Sequence, residues 1–163
     1  MSESTRWKSI VMVSLLLLSP WLLVQGWILV SAPTPEHTQL PVCPEGTQNC
    51  ASIGDGGLVR MEASFSSTVN TNASDLWDAF ESWSSDEHLA VEYDRISEDG
   101  EYFSHRIAIT SFWRFPDDVV VKFTPVDDNS SVISLYSSSR LGVSDLGVNP
   151  DRLADLHEAL MQA

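Results

Sequence analysis

The chain has 163 residues, 43% hydrophobic and 20% charged, with 23 acidic side chains against 9 basic ones and a net charge of −14. That length accommodates one membrane segment and one compact domain of about 100–130 residues, not two full domains. The acidity excludes the basic patches that a nucleic-acid partner requires, and the apolar content excludes a disordered acidic tail.

Residues 1–9 contain Arg6 and Lys8 and are expected in the cytoplasm. Residues 10–30 then read IVMVSLLLLSPWLLVQGWILV without a charge, a length that matches a hydrocarbon core of about 30 Å. A bilayer helix tolerates Pro20 as a kink, and Trp21 and Trp27 lie in its outer half, where indoles favour the interface. The segment reads as a transmembrane anchor or as a cleavable signal peptide. Val30-Ser31-Ala32 offers a cleavage site, whereas the apolar run exceeds the usual signal length and Pro33 would follow the cut. In either case no Lys or Arg follows Lys8 until Arg60, so the positive-inside rule exports the remainder. The expected location is a bacterial inner membrane with the C-terminal domain facing the periplasm, or a periplasmic or secreted protein if the segment is removed. Residues 1–32 hold two basic side chains and one acidic, leaving −15 on the exported part. Two lysines among nine basic residues fit a salt-adapted source as well as an ordinary acidic exported domain.

Residues 31–57 form a linker in which Pro33, Pro35, Pro41 and Pro44 favour an extended stalk. Cys43 and Cys50 are the only cysteines. In an exported chain such a pair reads as a disulfide, contributing about 2.5 kcal/mol by loop entropy. Free thiols are the alternative. The spacing is not the Cys-x-x-Cys of redox sites, and no neighbouring His pair completes a metal site.

From residue 58 to 163 the pattern becomes regular. Val59, Met61, Ala63, Phe65 and Val69 alternate with polar residues, which predicts a strand. Asn72 caps a helix whose face carries Ala73, Leu76, Trp77, Phe80 and Trp83. Leu89, Val91 and Tyr93 predict a second strand, turned by Ser97-Glu98-Asp99-Gly100. A long third strand places Phe103, Ile107, Ile109, Trp113 and Phe115 on one face. Pro116-Asp117-Asp118 is expected to turn the chain, Val119 to Thr124 to form the fourth strand, and Val132 to Ser138 the fifth. Asn149-Pro150 then caps a helix striped by Leu153, Leu156, Leu160 and Met161. The order β-α-β-β-β-β-α predicts an α+β fold, an antiparallel five-stranded sheet with two helices on one face, preceded by one transmembrane helix. In architecture alone it resembles a half-repeat of the TATA-binding protein or a reduced helix-grip fold.

The run Ser137 to Arg152, SSSRLGVSDLGVNPDR, resembles the signature Ser-Arg-x-Gly-x-Ser-Asp-x-Gly-x-Asn-x-x-Arg of the domain of unknown function 1499 family. Cys43-Pro44 with Asn49-Cys50, and Asp117-Asp118-Val119, agree with that resemblance, while Pro150 and Ala51 depart from it. The family carries no established activity, so the resemblance implies the fold and no reaction.

Within the signature, Gly142 and Gly147 permit backbone angles that side chains forbid. Arg140 and Arg152 are each able to clamp a carboxylate, with Asp145 or Asp117 as partners. Together with Ser144, Asn149 and Asp118 these residues form either a polar latch or an anion pocket at a helix N-terminus. No Gly-x-Ser-x-Gly elbow, His-Glu-x-x-His or phosphate loop is present, so no catalytic residue, cofactor or metal is implied. His37, His88, His105 and His157 are scattered, and His105 is expected as a core or edge histidine. The functional expectation is a membrane-anchored exported binding or assembly module with a membrane-protein partner. The alternatives are a carrier using a sheet–helix pocket lined by Trp77 and Trp113, and a hydrolase of unknown class.

Overall fold

In the computed structural model, residues 3–163 are described, with side chains from Arg6 onward. The chain opens with α1 (Glu3–Ser31), followed by β1 (Cys50–Ile53), β2 (Thr68–Val69), α2 (Ala73–Asp86), β3 (Ala90–Ile96), β4 (Tyr102–Ile109), β5 (Pro116–Asp127), β6 (Ser130–Ser139) and α3 (Val148–Leu160). The six strands form one antiparallel sheet in the order β1-β6-β5-β4-β3, with β2 also paired to β6. The α+β class, with two helices over one antiparallel sheet, is as the periodicity predicts.

Asn72 starts α2 by accepting the Asp75 N–H at 2.9 Å, which satisfies a donor that the first turn leaves unpaired. Leu76 and Phe80 of α2, and Leu153, Leu156 and Leu160 of α3, are fully buried against Ile53, Val121, Phe123, Ile133 and Leu135 of the sheet. That contact is the main core. The apolar stripes of both helices have 3.6-residue spacing and so close over a sheet face of period two.

The opposite face carries Cys50, Phe103, Val120 and Tyr136, covered by Cys43 and Leu40 from the proline-rich segment. The expected free stalk is therefore a strap folded onto the sheet. Its tether is the Cys43–Cys50 disulfide, and Cys50 is itself the first residue of β1. The domain consequently begins inside the predicted linker of residues 31–57. A four-residue strand is too short for its alternation to stand out in sequence.

Three further expectations are corrected. The predicted first strand survives only as Thr68–Val69 and an isolated bridge of Val59 to Ser52. Arg60 has φ +56°, which breaks extended backbone, and Met61 and Phe65 reach the core from an irregular segment. The long third strand ends at Ile109, and Arg114, with φ +58°, turns the chain before Phe115. Pro116-Asp117-Asp118 consequently lies inside β5, opposite Ile107 to Ile109 of β4, and makes no turn. Asn149 is not the cap of α3 either. Gly147 holds that position with φ +94°.

Candidate functional site

Because β5 alternates its side chains, Asp117 and Asp118 point to opposite faces of the sheet. They divide the polar residues of the signature into two clusters.

On the helix-covered face, Asp117 Oδ2 accepts from Arg152 Nη2 at 2.9 Å. The other arginine nitrogen, Nη1, donates to Ser137 Oγ at 2.9 Å and to Asn149 Oδ1 at 2.8 Å. Asn149, fully buried, spends its amide hydrogens on the Asn49 carbonyl at 3.0 Å, Ser139 Oγ at 3.2 Å and Asp145 Oδ2 at 2.7 Å. Asp145 supplies the side-chain capping expected of Asn149, accepting the backbone N–H groups of Gly147 at 3.0 Å and Asn149 at 3.3 Å. Arg60 clamps Asp145 with two hydrogen bonds of 2.9 and 2.8 Å. Burial alone would push the Asp145 carboxyl up. The Arg60 guanidinium and the α3 N–H groups outweigh it and hold the carboxyl at about 2, since hydrogen bonds to the charged form favour that form. Ser144 stays exposed, its Oγ within 3.4 Å of the Leu146 N–H.

On the strap-covered face, Asp118 Oδ1 accepts from Arg140 Nε at 3.0 Å, from Arg140 Nη2 at 2.7 Å and from His105 Nε2 at 2.7 Å. His37 of the strap brings Nε2 to 3.7 Å from Asp118 Oδ2 and sets its ring 4.8 Å from that of His105. Desolvation raises the Asp118 carboxyl, and its His105, His37 and Arg140 partners together take it well below the usual carboxylate range. Burial pushes the neighbouring Tyr136 hydroxyl up. Among the described residues, His37, His105 and Asp118 are the group able to hold a metal ion, their ligand atoms lying within 4.8 Å of one another. Asp118 Oδ1 already receives three hydrogens from the arginine and the imidazole, so His105 Nε2 is spent on that bond, and Asp118 Oδ2 and the His37 ring are what remains open to a cation.

The residues expected to form one site fall into two separate groups. Arg140 and Arg152 lie on opposite sides of the sheet, each neutralised by its own aspartate, and they form no common anion pocket. Arg140 pairs with Asp118 rather than Asp117 or Asp145. Arg60, Asn49, Ser137 and His37 belong to the two clusters but were not singled out as site residues. Arg60 did carry a signal, as the lone basic residue between Lys8 and Arg95, while His37 carried none in a segment that reads as a stalk. Trp77 is half-buried, packed against the core with its ring 5.3 Å from that of Tyr102. Trp113 sits in the β4–β5 loop, so the predicted sheet–helix pocket between them does not form.

A cleft of about 300 Å³ opens instead between Trp27 of α1, Trp113 and Phe115 of the β4–β5 loop, Leu141 and Leu146 of the signature loop, and Val148 at the start of α3. Its position is set by Trp21 Nε1, which donates to the Phe112 carbonyl at 3.0 Å, and Gln25 Nε2, which donates to the Trp113 carbonyl at 2.8 Å.

The family model described as protein of unknown function DUF1499 matches residues 46–160. The chain belongs to that family. The match covers the six strands, α2, α3 and both polar clusters except His37, and it leaves α1 and the strap outside. No curated protein matches the chain. Among solved structures, the chain is similar to the crystal structure of an uncharacterized protein from Bacillus thuringiensis, with 9% identity, a TM-score of 0.30, and coverage of 69% of this chain and 95% of that one. That likeness is too loose to build on.

Proposed function

We propose that this DUF1499 protein is an anchored module of a bacterial inner membrane, with its α+β domain held on the periplasmic side to bind or assemble with another membrane protein. The observation that carries this reading is α1. It carries 21 charge-free residues, 10–30, in a helix long and apolar enough to cross a membrane, and it leads directly into a strap tied to the sheet by a disulfide. Such a connection holds the domain close against the membrane rather than at the end of a free tether. The polar clusters support a non-catalytic role, because Asp117, Asp118 and Asp145 each face an arginine within hydrogen-bond distance. These pairs act as latches joining β5, the end of β6, the segment around Arg60 and the start of α3. A carrier role for the space between sheet and helices is not supported, since packed side chains fill it.

The test is made on the full-length protein in a Gram-negative host. Carbonate extraction is expected to leave it in the membrane pellet, and proteinase K added to spheroplasts is expected to remove a C-terminal epitope. Release by carbonate, protection of the epitope, or a mature N-terminus at Pro33 would each overturn the reading.

A further inference from the structure

We infer that the β4–β5 loop, with Phe112 and Trp113 at its tip, is inserted into the outer leaflet of the bilayer beside α1. The membrane-proximal face of the domain is then a lipid-contacting collar. This inference rests on the anchor reading above and deepens it.

Length places the loop. The 21 charge-free residues 10–30 span about 32 Å at 1.5 Å per residue, against about 30 Å of hydrocarbon. Arg6 and Lys8 hold the inner end at the cytoplasmic boundary by extending their charges into the headgroups. Gln25 then lies about 8 Å inside the outer edge of the hydrocarbon, with Trp21 one turn deeper. These are the two side chains that hydrogen-bond the Phe112 and Trp113 carbonyls. A loop bonded to α1 at that level cannot stand clear of the lipid.

The backbone of the loop suits such a place. Irregular backbone at membrane depth is tolerated only when its polar groups find partners within the protein. Here the Thr110 N–H donates to the Phe115 carbonyl and the Arg114 N–H to the Thr110 carbonyl, both at 3.0 Å. The Phe115 N–H donates to Thr110 Oγ1 at 2.8 Å, and α1 satisfies the carbonyls of residues 112 and 113. The bond to the Trp113 carbonyl also gives a partner to the Gln25 amide nitrogen, which would otherwise stand unmatched in an apolar span.

The side chains agree. Phe112 is 66% and Trp113 40% exposed, and Leu146, across the cleft that both loops share with Trp27, is 94% exposed. Large apolar side chains left in water on one end of a domain mark an interaction face, and aromatic rings are favoured at the bilayer interface. Arg114, next to Trp113 in a chain of net charge −14, is exposed and suits anionic headgroups. The hairpin turn at the far end of the same sheet, Asp127-Asp128-Asn129, is exposed and acidic, as expected of the end that faces water.

The test uses full-length protein reconstituted in phosphatidylglycerol-containing vesicles. Nitroxide labels are placed one at a time by Phe112→Cys, Leu146→Cys, Leu16→Cys and Asp128→Cys, leaving Cys43 and Cys50 bonded. Relaxation by oxygen, which partitions into lipid, is compared with relaxation by a water-soluble nickel chelate. Labels at 112 and 146 are expected to match 16 in sign, with oxygen exceeding nickel, while 128 shows the reverse. If 112 and 146 follow 128 while 16 remains in lipid, the collar is refuted and the anchor stands. If 16 itself reads water, the anchor fails and the collar fails with it.

Discussion

Replacing Asp118 by asparagine keeps the side-chain shape and removes one charge from a pair in which both members are 5% exposed. The Arg140 guanidinium then loses the carboxylate that faces it with two hydrogen bonds. Breaking a buried pair by deleting one partner costs about 3–5 kcal/mol, because the remaining charge is left uncompensated. The asparagine oxygen still accepts one bond, so the lower end applies, at about 3 kcal/mol. At about 4 °C per kcal/mol for a domain of this size, the thermal midpoint should fall by about 12 °C. Circular dichroism of the full-length protein in mild detergent reads this directly. The double variant Asp118→Leu with Arg140→Met removes both charges and retains apolar volume. It is expected to recover to within about 2 kcal/mol of the parent, the remainder reflecting the His105 N–H left without its acceptor. A single variant that melts within about 2 °C of the parent would refute the reasoning. So would a double variant no more stable than the single.

Three further outcomes follow from the same geometry. The depressed carboxyls of Asp118 and Asp145 contribute stability that is fully present above the ordinary aspartate pKa and is lost as pH falls through the folded value. Melting curves should therefore be flat down to about pH 5 and drop progressively below it, the loss at Asp118 continuing past about pH 2; Asp145→Asn should remove part of that drop. Arg60→Ala should cost less than Asp118→Asn, about 1–2 kcal/mol, since Arg60 is 25% exposed and solvent screens its pair with Asp145; an equal or larger loss would show that the strap-face pair is not the stronger latch. Replacing Cys43 and Cys50 by serine should lower stability by about 2.5 kcal/mol through the regained entropy of an eight-residue loop. It should also speed amide exchange in residues 33–44, and exchange at the parental rate would mean that the strap is held without the disulfide.

What the sequence determined by itself was local. The charge-free run up to Val30, the amphipathic helices at Ala73 and Val148, the Asn72 cap of the first, and the central strands followed from spacing alone, because hydrophobic period and capping are properties of neighbouring residues. The signature residues Arg140, Asp145, Asn149 and Arg152 were likewise legible as one polar motif. Tertiary structure decided the pairing. Whether Asp117 and Asp118 lie in a turn or a strand depends on Arg114 reversing the chain three residues earlier, and that choice sends the two carboxylates through opposite faces of the sheet. Arg60 meets Asp145 across 85 residues and Arg152 meets Asp117 across 35, distances over which no periodicity carries information. The proline-rich strap became part of the domain for the same reason. Its few apolar residues and one histidine have no pattern of their own, and they gain a place only once β4, β5 and β6 present Phe103, His105, Asp118 and Tyr136 side by side for them to cover.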